Sequence, residues 1–165
     1  MKARCKKTAH ASSSYRIYLH LVWPTKYRKH VLGEKLTPVV ESKILEVCQT
    51  KQYQLFVVKA AVDHMHVLLG MRPTQAVSDV VRDLKTNSSA AAFSTFSSKI
   101  IKMDVLWAEG YRAESVSPGE LERVRRYIMS QAEHHRAKFR FRARQDTKHA
   151  DYGEATSKAK GPPSL

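Results

Sequence analysis

The segment Asp63-His64-Met65-His66 places two metal-binding side chains at the spacing that a β-strand puts on one face. Alternate residues of a strand point to the same side of a sheet, so His64 and His66 project together while Met65 and Val67 point the other way. Two neighbouring imidazoles can hold a divalent metal ion. The same spacing is equally compatible with two polar residues on the exposed side of a strand, and both interpretations stay open on this pair alone.

A second pattern lies in the helix predicted near the end of the chain, where Tyr127 and Gln131 are four residues apart and share one helical face. An amide oxygen beside two imidazoles would make three ligands and leave positions open, as a catalytic metal requires. A tyrosine hydroxyl, with a free pKa of about 10, needs such help to attack a phosphodiester. The alternative is a boundary tyrosine with its hydroxyl in water.

Composition indicates a polyanionic partner. The 165 residues carry a formal net charge of +14 and a pI near 10.0, which favours nucleic acid over a membrane surface. No segment approaches the roughly 18–20 continuous apolar residues of a membrane span. Cys5 and Cys48 are too few for a disulfide framework. We therefore expect a cytoplasmic protein that associates with the nucleoid when it is on DNA.

Periodicity predicts an α+β fold of the ferredoxin-like (RRM-like) split-βαβ type. The predicted elements are a strand at 15–23, a helix at 36–51, strands at 53–62 and 64–71, a helix at 75–98, a strand within 106–116, and a helix from 117 to 138. This order predicts an antiparallel sheet with helices on one face, plus a C-terminal helix that carries Tyr127. Ser117, Pro118 and Glu120 indicate the start of that helix.

The ends of the chain differ in composition from its middle. Residues 1–13 are basic and lack apolar periodicity, which predicts a flexible N-terminal arm. Residues 139–165 are basic and then rich in Lys, Ala, Gly and Pro, which predicts a disordered tail. A single catalytic domain is therefore predicted at 14–138.

Two basic groups are candidates for DNA binding. Lys26, Tyr27 and Arg28 combine positive charge with an aromatic ring, which could bind phosphates and stack a base. Arg82 and Lys85 lie three apart on the predicted long helix and could contact the DNA backbone. For each group the alternative is a solvated basic surface.

Several motifs, in order and at the same relative spacing, resemble those of the small single-tyrosine HUH transposases of bacterial and archaeal insertion sequences (TnpA-like). The resemblance covers residues 14–138. It is carried by Tyr18-Leu19-His20-Leu21-Val22-Trp23 with Thr25-Lys26-Tyr27-Arg28, by Asp63-His64-Met65-His66-Val67-Leu68-Leu69, by Leu84-Lys85 with Ser88-Ser89 and Phe93, by Leu106-Trp107 with Gly110-Tyr111, and by Tyr127-Ile128 with Gln131.

The resemblance implies a homodimeric enzyme that cleaves and rejoins single-stranded DNA next to hairpins. It implies that His64, His66 and Gln131 bind a divalent metal, usually Mg²⁺ or Mn²⁺. Tyr127 would be the nucleophile that forms a 5′-phosphotyrosine, and the tyrosine helix of one subunit often completes the site of the other. Mg²⁺ prefers oxygen ligands, so two imidazoles make Mn²⁺ at least as suitable.

This chain departs from the family pattern at the last strand. Arg112 stands where an aromatic often follows Gly-Tyr, and Ser117 stands where Gly often closes the strand. Two other functions are compatible with the residues. One is a non-catalytic (domesticated) module that binds single-stranded nucleic acid on an RRM-like sheet. The other is a metal phosphoesterase that uses water in place of Tyr127.

Overall fold

The computed structural model describes residues 14–130, apart from the side chain of Lys99. Its elements are β1 (Ile17–Pro24), a 3₁₀ turn (Lys26–Arg28), α1 (Leu36–Thr50), β2 (Gln54–Ala60), β3 (His64–Met71), α2 (Val77–Thr95), α3 (Ser98–Ile101), β4 (Arg112–Ser115) and a final helix α4 at 121–130. The predicted arm (1–13), the predicted tail (139–165) and the predicted end of the last helix lie outside the described residues. The division into arm, domain and tail therefore stays a prediction.

The four strands form one sheet in the order β2-β3-β1-β4, and every neighbouring pair is antiparallel. β3 lies between β1 and β2, so the β1-α1-β2 unit is split by the inserted strand. This arrangement is the ferredoxin-like fold that the order of elements predicts. Within residues 14–130, no helix is long and apolar enough to cross a bilayer.

The main core lies between the sheet and helices α1 and α2. Strand alternation sends Leu19, Leu21 and Trp23 of β1 into it, together with Met65 and Val67 of β3. Trp23 meets Trp107 edge to face with ring centroids 6.0 Å apart, and the Trp107 indole N–H donates to the Ser88 hydroxyl at 3.0 Å. Both tryptophans are buried in this core.

A second apolar cluster lies on the opposite face of the sheet, where α4 packs. Its members are Tyr18, Val57, Leu68, Val116 and Ile128, with Phe56, Leu121 and Val124 packed against them. A bulge in β2 between Leu55 and Val57 inserts Phe56 into the strand. Leu121, Val124 and Ile128 form the apolar side of α4 in this cluster. Because α4 covers part of this face, it approaches the side of the sheet that carries the histidines.

The prediction of one helix at 75–98 is wrong at its end. The α2 helix stops at Thr95, and Phe96 is extended with φ −128° and ψ 130°. Thr95 donates its hydroxyl to the Ala91 carbonyl at 2.9 Å, and the Phe96 ring packs against the main core. Burial of that ring takes the chain out of the helix before the short helix α3 begins.

The predicted cap of the last helix is also wrong. The Glu120 amide donates to the Ser117 carbonyl at 3.0 Å, and the Ser117 hydroxyl bonds the Glu120 carboxylate at 3.2 Å. Residues 118–120 therefore form a turn. The first bond of the α-helical type runs from Val124 to the Glu120 carbonyl, so Glu120 takes the capping position and α4 begins at 121.

Candidate functional site

His64 and His66 lie on the sheet face opposite the main core. Met65 and Val67, which alternate with them, are fully buried in that core. The two imidazole centroids are 4.7 Å apart, with His66 buried and His64 half-buried. The prediction that these imidazoles share one face is confirmed.

A third imidazole, that of His20, joins this pair. In the β1–β3 register Val22 faces His66, so His20 is a diagonal neighbour of His66 on the same face. Its Nε2 lies 3.0 Å from Nδ1 of His66, and the rings stack with centroids 5.2 Å apart. Burial lowers the pKa of His20, and the nearby Glu114 carboxylate opposes that effect. His20 therefore contacts the candidate ligand His66.

Asp63 is a functional candidate that the sequence did not single out. Its carboxylate accepts a hydrogen bond from Nδ1 of His64 at 2.6 Å and pairs with Arg28 at 3.2 Å. Burial raises the pKa of this carboxyl, but the contacts with His64 and Arg28 outweigh burial and lower it. Asp63 thus connects the histidine pair to the basic loop after β1. Its position directly before His64 was the only available signal.

The basic loop presents an aromatic ring to solvent. Tyr27 is 79% exposed, and both Tyr27 and Arg28 have positive φ angles, 58° and 51°. Non-glycine residues seldom adopt this conformation, which is found mostly where the surroundings impose it. Lys26 places its Nζ 5.3 Å from the Tyr27 ring centroid. Because Arg28 reaches Asp63, the loop borders the histidine site.

The other two DNA-binding candidates differ in their surroundings. Lys85 donates to the carbonyls of Ala108, Glu109 and Gly110 at 2.6, 2.8 and 3.4 Å, which ties α2 to the segment that leads into β4. Burial lowers the pKa of Lys85, and Glu109 opposes that effect. Arg82 is exposed and pairs with Asp79 at 2.9 Å within the same helix. DNA contact by either residue stays a prediction.

Tyr127 lies on α4 and is 50% exposed. The next residue, Ile128, is fully buried against the histidine-bearing face, in the cluster that contains Leu68 of β3. The helix therefore packs on the sheet at Leu68, which is two residues after His66 on β3. The predicted third ligand, Gln131, lies outside the described residues, so the structure leaves its role a prediction.

The chemistry of the donor set fits a divalent metal ion in part. Two imidazoles with their Nδ1 atoms engaged, by Asp63 and by His20, would offer Nε2 to a metal. Across residues 14–130, no group of three or more His, Cys, Asp or Glu side chains is arranged to hold a metal. To hold a metal, the histidine pair therefore needs a further ligand, either of another chemical type or from another segment of the chain. An amide oxygen is one such ligand.

Comparison with known proteins gives a consistent result. The family described as "Transposase IS200 like" matches residues 13–131. The chain is 28% identical over 119 residues to the ISDra2 transposase TnpA of Deinococcus radiodurans, covering 71% of this chain and 85% of that protein. It is 27% identical over 116 residues to the transposase for insertion sequence element IS200 of Salmonella typhimurium, covering 69% and 76%.

Solved structures show the same fold. A candidate transposase from Deinococcus radiodurans R1 superposes with a TM-score of 0.62 at 26% identity, covering 76% of this chain and 98% of that one. A REP-associated tyrosine transposase bound to a REP hairpin superposes with a TM-score of 0.53 at 11% identity, covering 74% and 70%. At that identity the second likeness shows the fold alone.

Proposed function

This chain belongs to the family of IS200-like transposases, and on that premise we propose that it cleaves and rejoins single-stranded DNA at insertion-sequence ends through a 5′-phosphotyrosine on Tyr127. The observation that carries the proposal is the packing of α4. Ile128 is buried in one cluster with Leu68, on the sheet face from which His64 and His66 project. This packing supports a site in which a tyrosine and two candidate metal ligands lie on the same side of the sheet.

The chemistry divides among the residues of this face. The Tyr127 oxygen would form a new bond to phosphorus while the bond to the 3′ oxygen breaks. The tyrosine proton passes to solvent, and the released 3′ oxygen takes up a proton. Because one phosphodiester, to the tyrosine oxygen, replaces another, to the 3′ oxygen, a 3′-hydroxyl can later reverse the step without a nucleotide cofactor. His64, His66 and Gln131 are the residues that would hold a divalent ion, Mn²⁺ or Mg²⁺, whose chemistry when bound is to polarise a phosphoryl oxygen.

The basic loop would bind the DNA strand next to the histidine site. Lys26 and Arg28 supply positive charge for phosphates, and the exposed Tyr27 ring offers a surface on which a base can stack. We propose DNA hairpins with flanking single strands as the substrate. The relative that was solved with a REP hairpin supports this choice by its fold.

The test is the formation of a covalent protein–DNA adduct. The full chain is incubated with Mn²⁺ or Mg²⁺ and single-stranded DNA that carries a hairpin, and the products are separated under denaturing conditions. We expect an adduct that Tyr127→Phe abolishes and that Tyr111→Phe retains, since Tyr111 is a similarly exposed tyrosine outside α4. An unchanged adduct in Tyr127→Phe would contradict the proposal.

The same experiment separates the alternatives. If the DNA is cleaved without forming an adduct, and this cleavage persists in Tyr127→Phe, the protein is a phosphoesterase that uses water. Binding that persists in EDTA, with no cleavage of any hairpin substrate, would identify a non-catalytic module. Labelling the DNA on the 5′ or the 3′ side of the cut shows which fragment stays on the protein, and the proposal requires the 5′-phosphate fragment.

We also propose a homodimer, whose active site is assembled either within one subunit, as the packing of α4 on its own sheet supports, or from α4 of one subunit and the histidine pair of the other. Half of the Tyr127 side chain is exposed, so α4 can present it to a second molecule. The four residues of β4 are all exposed, and β4 is an edge strand of the sheet. Mixing Tyr127→Phe with His66→Ala tests the arrangement. Assembly in trans predicts that the mixed dimer recovers one active site, and no recovery after subunit exchange would exclude it.

A further inference from the structure

The candidate ligand His66 ends a row of polar side chains that crosses three strands. Glu114 and His20 are direct partners in the β4–β1 register, and their Oε2 and Nδ1 atoms are 3.7 Å apart. His20 in turn places Nε2 at 3.0 Å from Nδ1 of His66 in a buried contact. Arg112 pairs with Glu114 at the outer end of the row. The order Arg112–Glu114–His20–His66 thus leads from the sheet edge to the metal position.

His64 ends a shorter row of the same kind. Its Nδ1 bonds the Asp63 carboxylate at 2.6 Å, and Asp63 pairs with Arg28. Both rows therefore begin with an arginine, pass through a carboxylate and end on Nδ1 of a candidate ligand. The first row differs only by the imidazole inserted between the carboxylate and the ligand.

The rules of imidazole hydrogen bonding give each row a direction. An ionised carboxylate only accepts hydrogen bonds, and a neutral imidazole has one N–H and one accepting nitrogen. Nδ1 of His20 lies 3.7 Å from the Glu114 carboxylate, and with the His20 proton on that nitrogen, Nε2 of His20 accepts and Nδ1 of His66 donates. His64 Nδ1 donates to Asp63 by the same rule. In both histidines the lone pair is then on Nε2, the nitrogen not engaged by these rows.

We propose that Glu114 acting through His20, and Asp63 acting directly, hold His66 and His64 in the Nδ1–H tautomer and so present two Nε2 lone pairs to one metal ion. The inference rests on the proposed function for the identity of the metal ligands. His20, Glu114 and Asp63 are positioning residues in it. The opposite tautomer would aim an N–H at the metal position, and such a site would have to rearrange before binding.

The first test reads the tautomers directly, without metal and without activity. Long-range ¹H–¹⁵N spectra of the full chain, labelled at histidine, distinguish Nδ1–H from Nε2–H imidazoles, and His64→Gln and His66→Gln assign the signals. We expect Nδ1–H at both positions in the wild type. We also expect His66 to change to the Nε2–H form, which free histidine favours in water, in His20→Phe. An Nε2–H tautomer at His66 in the wild type would overturn the proposal.

The second test measures Mn²⁺ affinity from the electron paramagnetic resonance signal of the free ion. His20→Phe keeps a ring in the stack but removes the acceptor, and we expect about 10–100-fold weaker binding, the usual effect of losing a partner behind a metal-binding histidine. His20→Gln places an amide oxygen near the former Nε2 and should restore much of the affinity. Equal affinity in the wild type and His20→Phe would refute the positioning role.

The role of the Glu114 carboxylate is tested with one variant at Glu114 and one control variant at another carboxylate. Glu114→Gln removes the charge at the end of the row and should weaken Mn²⁺ binding, whereas Asp104→Asn removes one charge from an exposed position away from the row and should not. Thermal unfolding of each variant checks the fold. A purely structural role would lower stability equally in His20→Phe and His20→Gln, without rescue of affinity by Gln, and that result would count against the proposal.

Failure of the proposed function would look different. If His64→Gln and His66→Gln left Mn²⁺ affinity unchanged, the metal assignment would be wrong, and the tautomers of the metal-free protein would still decide whether the two rows act as proposed. If Tyr127→Phe retained the adduct, the nucleophile would be wrong, and neither the tautomers nor the affinities would be affected.

Discussion

Tyr27 has an exposed aromatic ring and a positive φ angle, and neither feature stabilises the folded protein. Its ring is 79% exposed, and its backbone has a φ of 58°, which is unfavourable for a residue with a Cβ. The neighbouring contacts impose this shape, because Thr25 donates to the Lys29 carbonyl at 2.7 Å across the turn and Arg28 is held by Asp63. Strain kept at an exposed aromatic points to a role in binding.

We expect Tyr27→Ala to weaken single-stranded DNA binding without loss of stability. Stacking of one base on an aromatic side chain contributes about 1–3 kcal/mol, equivalent to roughly a 5- to 150-fold change in Kd. Fluorescence anisotropy with a labelled oligonucleotide measures it. Tyr27→Phe is the control, since it keeps the ring and should bind like the wild type. Equal affinity in Tyr27→Ala would show that the ring is not a stacking surface.

For individual residues, the sequence predicted which face of the sheet a side chain lies on, but it did not predict which side chains on other strands it contacts. Strand alternation was enough to put His64 and His66 on one side of β3. The contact between His20 and His66 depends on the register of β1 against β3, and a shift by one residue would have sent His20 into the core. Periodicity does not specify that register, so the contacts of His20 with His66 and with Glu114 could be recognised only from the folded sheet.

At the level of elements, α4 connects Tyr127 to the rest of the domain through few residues. Ile128 is its fully buried side chain on the sheet, with Leu121 and Val124 partly buried beside it. The start of the helix was mispredicted because the Ser117 hydroxyl bonds Glu120 in place of a backbone amide. A helix with this limited contact can detach without unfolding the sheet.

We expect Ile128→Ala to loosen α4 selectively. Removal of a buried isoleucine weakens packing by about 2–5 kcal/mol, so backbone amides in 121–130 should exchange with solvent faster while those of β1 and β3 should not. Hydrogen exchange followed by mass spectrometry measures the difference, and the adduct yield should fall with it. Met129→Ala, at the exposed neighbouring position, is the control. Unchanged exchange in Ile128→Ala would mean that α4 is held elsewhere.

Lys85 also acts between elements. All three of its N–H donors point to the carbonyls of 108–110, so it anchors the segment before β4. We expect Lys85→Met to lower the free energy of unfolding by about 1–2 kcal/mol, since three backbone carbonyls lose a charged hydrogen-bond partner. Urea denaturation measures it. Arg82→Met, on the same helix with only an exposed ion pair, should change stability by less than about 0.5 kcal/mol.

DNA binding by the same two variants separates anchoring from DNA contact. A side chain that contacts a phosphate lowers the salt dependence of binding by about one unit when it is removed. If Lys85 only anchors the segment, the salt dependence for single-stranded DNA will match that of the wild type. A smaller salt dependence with unchanged stability would restore the DNA-binding interpretation of Lys85.

For the whole molecule, the fold could be read from the order of elements because the longer strands and helices carry apolar residues at strand or helix spacing, although β4, with four exposed residues, does not. The break after α2 was not predicted, because the Ala-rich and Ser-rich sequence before it is compatible with helix, and the extended Phe96, whose ring packs against the core, is recognised only in the fold. Nor could the sequence show that the last helix crosses the face opposite α1 and α2. That arrangement, more than any single motif, brings Tyr127 to the side of the histidines.

The net charge of +14 is a property of the entire chain, and residues 139–165 contribute to it with six Arg and Lys residues against three Asp and Glu. Each neutralised phosphate of a single strand adds about 0.7 to the slope of log K against log salt. If this segment binds DNA, substitution by Gln of Arg140, Arg142, Arg144, Lys148, Lys158 and Lys160 should reduce the slope by about 0.7 for every phosphate that is no longer neutralised. Anisotropy titrations of the full chain between low and physiological salt measure it.

The covalent step should respond differently from binding in that variant. None of the six residues is a candidate metal ligand or nucleophile, so the adduct yield at saturating DNA and low salt should equal that of the wild type. Substitution of Asp146, Asp151 and Glu154 by their amides is the matched control and should not reduce the slope. If the Gln variant kept the wild-type slope, the charges of 139–165 would not bind DNA, and the salt dependence would have to come from basic residues elsewhere, such as Lys26 and Arg28.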